Sequence, residues 1–168
     1  MRFSYRTAGG FTLTELVVVI VIMAILAVFA ASRFSSQSFN TRGFTDQTLA
    51  MLRYAQKTAV SQRRTVCVSI AGNVISLSYL VPPGGNTTCP GTAISQPGGL
   101  VGGGGAFSAT APSGVTLSLT GTTSPFSFSP LGQPSSSVGT PLTAQLTVTI
   151  VGDVTNAITV EQETGYVH

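Results

Sequence analysis

Gly10-Phe11-Thr12-Leu13-Thr14-Glu15 leads without a break into LVVVIVIMAILAVFAA, residues 16–31. As a helix, the run from Phe11 to Ala31 is about 31 Å long, the thickness of the hydrocarbon core of a bilayer. The ten residues before it, MRFSYRTAGG, are basic at Arg2 and Arg6 and contain no acid; Arg33 follows the run. Two charges against one favour an N-terminus on the cytoplasmic side. Three readings fit such a segment. It can be a secretory signal cleaved after the apolar run, where Val28-Phe29-Ala30 offers a small-residue site. It can be an uncleaved anchor. Or a short leader can be removed ahead of the run, which keeps the helix. Glu15 separates them. A carboxylate in the apolar segment costs about 2.5–3.5 kcal/mol at mid-bilayer and less near the interface. A disposable signal has no use for it, whereas a retained helix that packs against others can use it as a contact.

The hexapeptide 10–15 resembles the prepilin peptidase recognition motif of type IV pilins and type II secretion pseudopilins. In that family the peptidase cuts after the glycine and methylates the new N-terminal phenylalanine. The resemblance implies cleavage between Gly10 and Phe11, N-methylation of Phe11, and a role for Glu15 as the assembly carboxylate facing a neighbour's terminal ammonium. The physics agrees, because cleavage creates a buried amine that needs a partner. The implied organisation is a leader over 1–10, a transmembrane and filament-core helix over 11–35, and a periplasmic or extracellular domain over 36–168. Major pilins often carry a proline about twenty residues into this helix. Here the neighbourhood reads Ala30-Ala31-Ser32-Arg33-Phe34, without one.

Composition suits that placement. The 168 residues hold 8% charged side chains against a usual ~25%, with abundant Gly, Ser and Thr. This fits an exported β-rich domain better than a cytosolic enzyme. A hydrophobic fraction of 43% with small net charge argues against disorder. Loss of Arg2 and Arg6 with the leader lowers the formal charge from +3 to +1, six bases against five acids. Overall charge is therefore a weak argument for nucleic acid. Cys67 and Cys89 form an even pair which, in an oxidising compartment, reads as one disulfide contributing about 3 kcal/mol; two free thiols are the alternative.

Beyond the anchor, residues 37–64 turn amphipathic. Leu49, Leu52, Gln56 and Ala59 fall at helical spacing, with Phe44, Ala55 and Val60 close by, while Arg53, Lys57, Arg63 and Arg64 can face water. Gly43 marks a possible bend. The pattern predicts one long helix, half anchor and half spine for the domain. After Arg64 the period changes to two: 65–70 and 74–80 make a hairpin around Ala71-Gly72-Asn73. Residues 82–105 read as a loop with a glycine run that lacks the lysine of a phosphate loop. Further strands are expected at 115–120, 126–129, 142–151 and 157–161. Pro125, Pro130 and Pro134 confine the 126–129 segment to an edge or a bulge, and 133–140 reads as another loop.

The predicted fold class is α+β and pilin-like, a long N-terminal helix packed on a small antiparallel sheet domain. The order of elements resembles the FimT/GspH-like minor pilins, and within them the MSHA-type subunits. The residues that carry the likeness are Gly43-Phe44-Thr45-Asp46-Gln47, residues 52–59 with Arg63-Arg64 and Val66-Cys67-Val68, the turn Phe126-Ser127-Phe128-Ser129-Pro130-Leu131-Gly132, and the ending Glu163-Thr164-Gly165-Tyr166-Val167.

No catalytic constellation stands out: one His at position 168 and five acids cannot easily furnish a triad or an acid–base pair. Asp153, Glu161 and Glu163 lack a calcium-loop pattern and read as a solvated face. Neither metal, cofactor nor small-molecule substrate is expected. Arg53, Lys57, Arg63 and Arg64 form the one basic cluster. Relatives that take up DNA carry a basic C-terminal tail, but here the tail is acidic at Glu161 and Glu163, which argues against nucleic acid. Tyr54, Tyr79 and Tyr166 read as core or subunit-contact residues. The resemblance thus implies a minor pilin of an adhesive type IV pilus, moving from the inner membrane to the filament. Its partners would be prepilin peptidase and other minor and major pilins. The alternatives are a minor pseudopilin of type II secretion or a DNA-binding minor pilin.

Overall fold

The computed structural model describes residues 10–31, 36–80, 89–95, 106–137 and 139–168. The basic leader, the junction at 32–35 that would join anchor to spine, and most of the glycine-rich loop lie outside them, as does the expected continuity of one long helix. The chain divides into two units, 1–36 and 37–168.

The first unit is α1, Leu13–Ala31. It starts two residues after Phe11 because Thr12 caps it: the Glu15 amide donates to Thr12 Oγ1 at 3.3 Å and the Leu16 amide to the Thr12 carbonyl at 3.1 Å. Thr12 and Glu15 stand at the spacing of a capping box, and an acid in the first turn suits the helix dipole. Among the described residues no helix is long and apolar enough to cross a membrane. At 19 residues, α1 is about 28 Å long.

The second unit is built on α2, Ser36–Gln62. Its inward face is Thr41, Phe44, Thr48, Met51, Leu52, Ala55, Thr58 and Ala59, all buried, at steps of three and four. This face is rotated from the one read in the sequence. Leu49 and Gln56 are half-buried and Val60 is exposed, because Met51 and three threonines occupy the positions against the sheets. The helix runs unbroken through Gly43, which is exposed and marks no end. It stops at Arg63, whose φ of 49° is left-handed, and the Arg64 amide closes the last turn on the Ala59 carbonyl at 3.1 Å.

Two antiparallel sheets cover this helix. The larger follows the order β3-β2-β1-β6-β7, with β4 also on β2. Its members are β1 Val66–Ala71, β2 Val74–Tyr79, β3 Thr92–Ala93, β4 Ser108–Thr110, β6 Phe126–Phe128 and β7 Pro134–Ser136. The β1–β2 hairpin turns at Gly72 and Asn73 as expected. Cross-strand rows Tyr79–Val66–Phe128 and Leu77–Val68–Phe126 make its helix-facing side. The smaller sheet, β5-β8-β9, comprises Thr116–Thr120, Leu146–Val151 and Thr155–Val160. Leu146, Val148 and Ile150 point inward with Leu117, Ile158 and Val160, and Thr147 and Thr149 take the other face, as the alternation predicts. Residues of both sheets and of α2 share one core.

The structure corrects the reading of the phenylalanine segment. β6 is an interior strand, paired to β1 on one side and β7 on the other, and Phe126 and Phe128 are fully buried. Pro125 and Pro130 flank the three residues rather than interrupt them, so every amide of β6 can pair. Pro134 opens β7, which takes the edge. The 133–140 segment therefore holds a strand that was expected to be loop, and 82–105 contains β3.

Candidate assembly and processing site

The sequence-predicted site residues fall in two places. Gly10, Phe11 and Glu15 lie at the head of α1. A Cβ at Gly10 would meet nothing, and Phe11 is 84% exposed. An open, small residue followed by an exposed chain is what a peptidase cleft can enter. Glu15 is exposed, and its carboxylate has no partner among the described residues. The described side chains of α1, over 13–28, are all exposed, and only Thr14 and Glu15 among the helix's residues are polar. A helix apolar on every face must be covered by something else, lipid or other helices.

Cys67 and Cys89 lie in the second unit and are joined, with Cα atoms 5.7 Å apart. Cys67 alternates with Val66 and Val68 and so faces away from α2, between Ser78 and Ser127. The bridge therefore fastens the loop ahead of β3 to the far side of the sheet. The Cys89 amide donates to the Ser137 carbonyl at 3.2 Å, and the Gly91 amide to Ser78 Oγ at 3.2 Å.

The basic cluster is dispersed. The Arg64 guanidinium lies 4.6 Å over the Tyr79 ring. Arg53 Nε donates to the Val167 carbonyl at 3.2 Å. Of the tyrosines, Tyr54 packs edge-on against Phe107 and Tyr79 lies beside the core, whereas Tyr166 is exposed and stacked on His168. Glu161 binds Gln145 at 2.8 Å and His168 at 3.2 Å. Among the described residues no group of three His, Cys, Asp or Glu comes together.

Sequence reasoning missed how the C-terminal residues are held. Residues 161–168 fold back along β9, with Val160 bridged to Val167 and the Thr159 and His168 backbones exchanging hydrogen bonds at 2.7 and 3.0 Å. Gln56 Nε2 donates to the Thr164 carbonyl at 3.0 Å. Gly165, at φ +66°, sits so close that a Cβ there would strike the Gly132 carbonyl, and Gly132, at φ +86°, lies against Val60 and Gln56. The phenylalanine–proline–glycine turn and the glycine of the C-terminal motif thus meet on α2.

Residues 5–31 match the prokaryotic N-terminal methylation motif. Residues 45–162, more than half of the chain, match the type II transport protein GspH. The chain belongs to the type II transport protein GspH family. No curated protein matches it. The fold of this GspH-family chain is similar to that of the type IV minor pilin FimU of Pseudomonas aeruginosa. The two are 19% identical with a TM-score of 0.51 over 76% of this chain and 90% of FimU. It is also similar to EpsH, a minor pseudopilin of the type 2 secretion system of Vibrio cholerae, at 14% identity and a TM-score of 0.50 over 79% and 94%. At these identities the likeness is one of fold, two helical segments with α2 packed on antiparallel sheet. The methylation motif implies a membrane-anchored N-terminal helix and processing by prepilin peptidase, and GspH membership implies assembly with other pilin or pseudopilin subunits. These relatives are filament subunits rather than enzymes.

Proposed function

We propose that this chain is a minor pilin that helps prime assembly of an adhesive, MSHA-type type IV pilus, of the MshC kind. Prepilin peptidase would cut between Gly10 and Phe11 and methylate Phe11. Glu15 would meet the terminal ammonium of a neighbouring subunit, with the leader side of α1 in the cytoplasm until assembly. The observation that carries this reading is α1: an apolar helix whose described side chains are all exposed, headed by a carboxylate three residues past its cap that has no partner among the described residues. Such a helix is incomplete by itself, and a bundle of like helices completes it.

Intact mass and N-terminal fragmentation of the protein purified from membranes test the processing. The expected chain starts at methylated Phe11 and has Cys67 and Cys89 two protons short. A chain starting at Met1, or near Ala31, overturns the reading. Glu15→Ala should leave the domain folded and abolish incorporation into sheared filaments. The match to GspH favours one second reading, a minor pseudopilin of type II secretion. Deleting the protein would then impair secretion of exoproteins while leaving surface pili in place.

A further inference from the structure

We propose that the groove between α2 and the C-terminal segment is a carboxylate-binding site that takes an acidic peptide segment of a neighbouring subunit other than a second copy of this chain. The groove is an open depression of about 400 Å³ lined by Arg53, Gln56, Lys57, Tyr166 and Val167. The three α2 residues stand at i, i+3 and i+4, on one side of a rigid helix. Both charged residues are basic, and among the described residues no acid lines the groove. The acid of the adjoining strand end, Glu161, is already engaged by Gln145 and His168.

The two cations are set for a ligand. Arg53 uses Nε on the Val167 carbonyl at 3.2 Å, which orients the guanidinium, and its two Nη nitrogens have no partner among the described residues. That leaves a planar pair of donors, the geometry that fits a carboxylate. Lys57, exposed, makes no hydrogen bond or ion pair among the described residues. Like charges one helical turn apart repel, and a bound anion would relieve both. Gln56 is held by the Thr164 carbonyl and keeps the tail in place. Tyr166, 59% exposed, supplies a flat apolar wall beside the charges. A carboxylate carried on a short aliphatic stem satisfies donors and wall together, as Glu or Asp in a peptide does; a lone inorganic ion would leave the wall unused.

Nucleic acid fits less well. Two cations neutralise few phosphates, and Arg64, which could extend the track, is turned over Tyr79 instead. That the acidic segment belongs to a neighbouring subunit rests on the assembly reading above; the chemistry of the groove does not.

The test is fluorescence anisotropy of the full chain in neutral detergent micelles, with a labelled hexapeptide carrying three glutamates and one tyrosine, against its glutamine counterpart. The glutamate peptide should bind and the glutamine peptide should not. Lys57→Gln, which breaks no hydrogen bond or ion pair among the described residues, should weaken binding about fivefold, and adding Arg53→Gln should weaken it further, as should added salt. A thermal melt of Lys57→Gln should match the parent. Equal binding of the two peptides, or none, overturns the proposal, as does a Lys57→Gln variant that binds like the parent. Tighter binding of a single-stranded oligonucleotide of equal charge would make this a nucleic-acid site, and self-association abolished by Lys57→Gln would make a second copy the occupant. Either would also overturn it. None of these results bears on the N-terminal mass, so the two readings fail separately.

Discussion

Two glycines of this domain should answer the same substitution with opposite signs. Gly43 lies in the exposed interior of α2 with open space where a Cβ would go. Gly43→Ala should raise stability by about 0.5–1 kcal/mol, since alanine loses less backbone entropy on entering a helix. Gly165 has a left-handed φ and the Gly132 carbonyl directly in the path of a Cβ. Gly165→Ala should cost about 1–3 kcal/mol through strain and overpacking. Thermal melts of the two variants check both signs; a stabilised Gly165→Ala would mean the tail is not seated as described. At this scale the sequence was only partly legible. Thr12-Leu13-Thr14-Glu15 has the pattern of a helix cap, so the start of α1 could have been read from it. The seating of the tail could not, because Arg53 and Gln56 bind backbone carbonyls more than 100 residues away, and carbonyls carry no sequence signal.

Among the elements, α2 shows where hydropathy misleads. Its inward face carries Thr41, Thr48 and Thr58, so a search for apolar spacing settles on Leu49 and Val60 and turns the helix too far. Threonine hydroxyls in helices commonly bond back to the preceding turn, which lets them sit inside. Thr48 departs from this: its Oγ1 is buried with no hydrogen-bond partner among the described residues. An unsatisfied buried hydroxyl carries a desolvation cost without return. Thr48→Val, nearly the same shape, should therefore raise stability by about 1 kcal/mol in urea denaturation with an unchanged slope. A loss of stability would reveal a partner for that hydroxyl. The strands were better predicted, since β8 alternates cleanly and β1 and β2 flank a recognisable turn at Gly72 and Asn73. β6 and β7 were harder because each is three residues long, too short for periodicity to speak, and the surrounding prolines suggested exclusion where they only mark boundaries.

For the whole molecule, the disulfide is the most direct test of how the second unit holds together. Cys67 and Cys89 close a loop of 22 residues, worth about 3 kcal/mol on the chain-entropy model. Cys67→Ser with Cys89→Ser should lower stability by about that amount, and it should loosen β3 before the core, because β3 is a two-residue strand at the edge of the sheet. Hydrogen exchange at the amides of Gly91 and Ile94 would report this, while Val68 and Phe126 stay protected. Exchange rising equally in both places would show the bridge to be part of the global fold. The class of the molecule was legible from residues 10–31 alone, because the chemistry of a retained, acid-bearing apolar helix is distinctive. The two-sheet architecture was not, since nothing local states that β6 pairs with β1, some sixty residues earlier, while β5, the strand before it, joins the other sheet.

The seating of Val167 against Arg53 also says something about time. These residues are separated by 114 positions, so Arg53 is made long before the residue whose carbonyl it binds, and Val160 pairs with Val167 only after that. Contacts so distant along the chain form late. Until residues 161–168 have been made and have folded back, α2 has only part of its cover, and the groove beside Lys57 has no wall. A subunit lacking residues 161–168 would thus keep its anchor helix but lose the groove, so the presence of that segment becomes a condition for offering this binding surface at all.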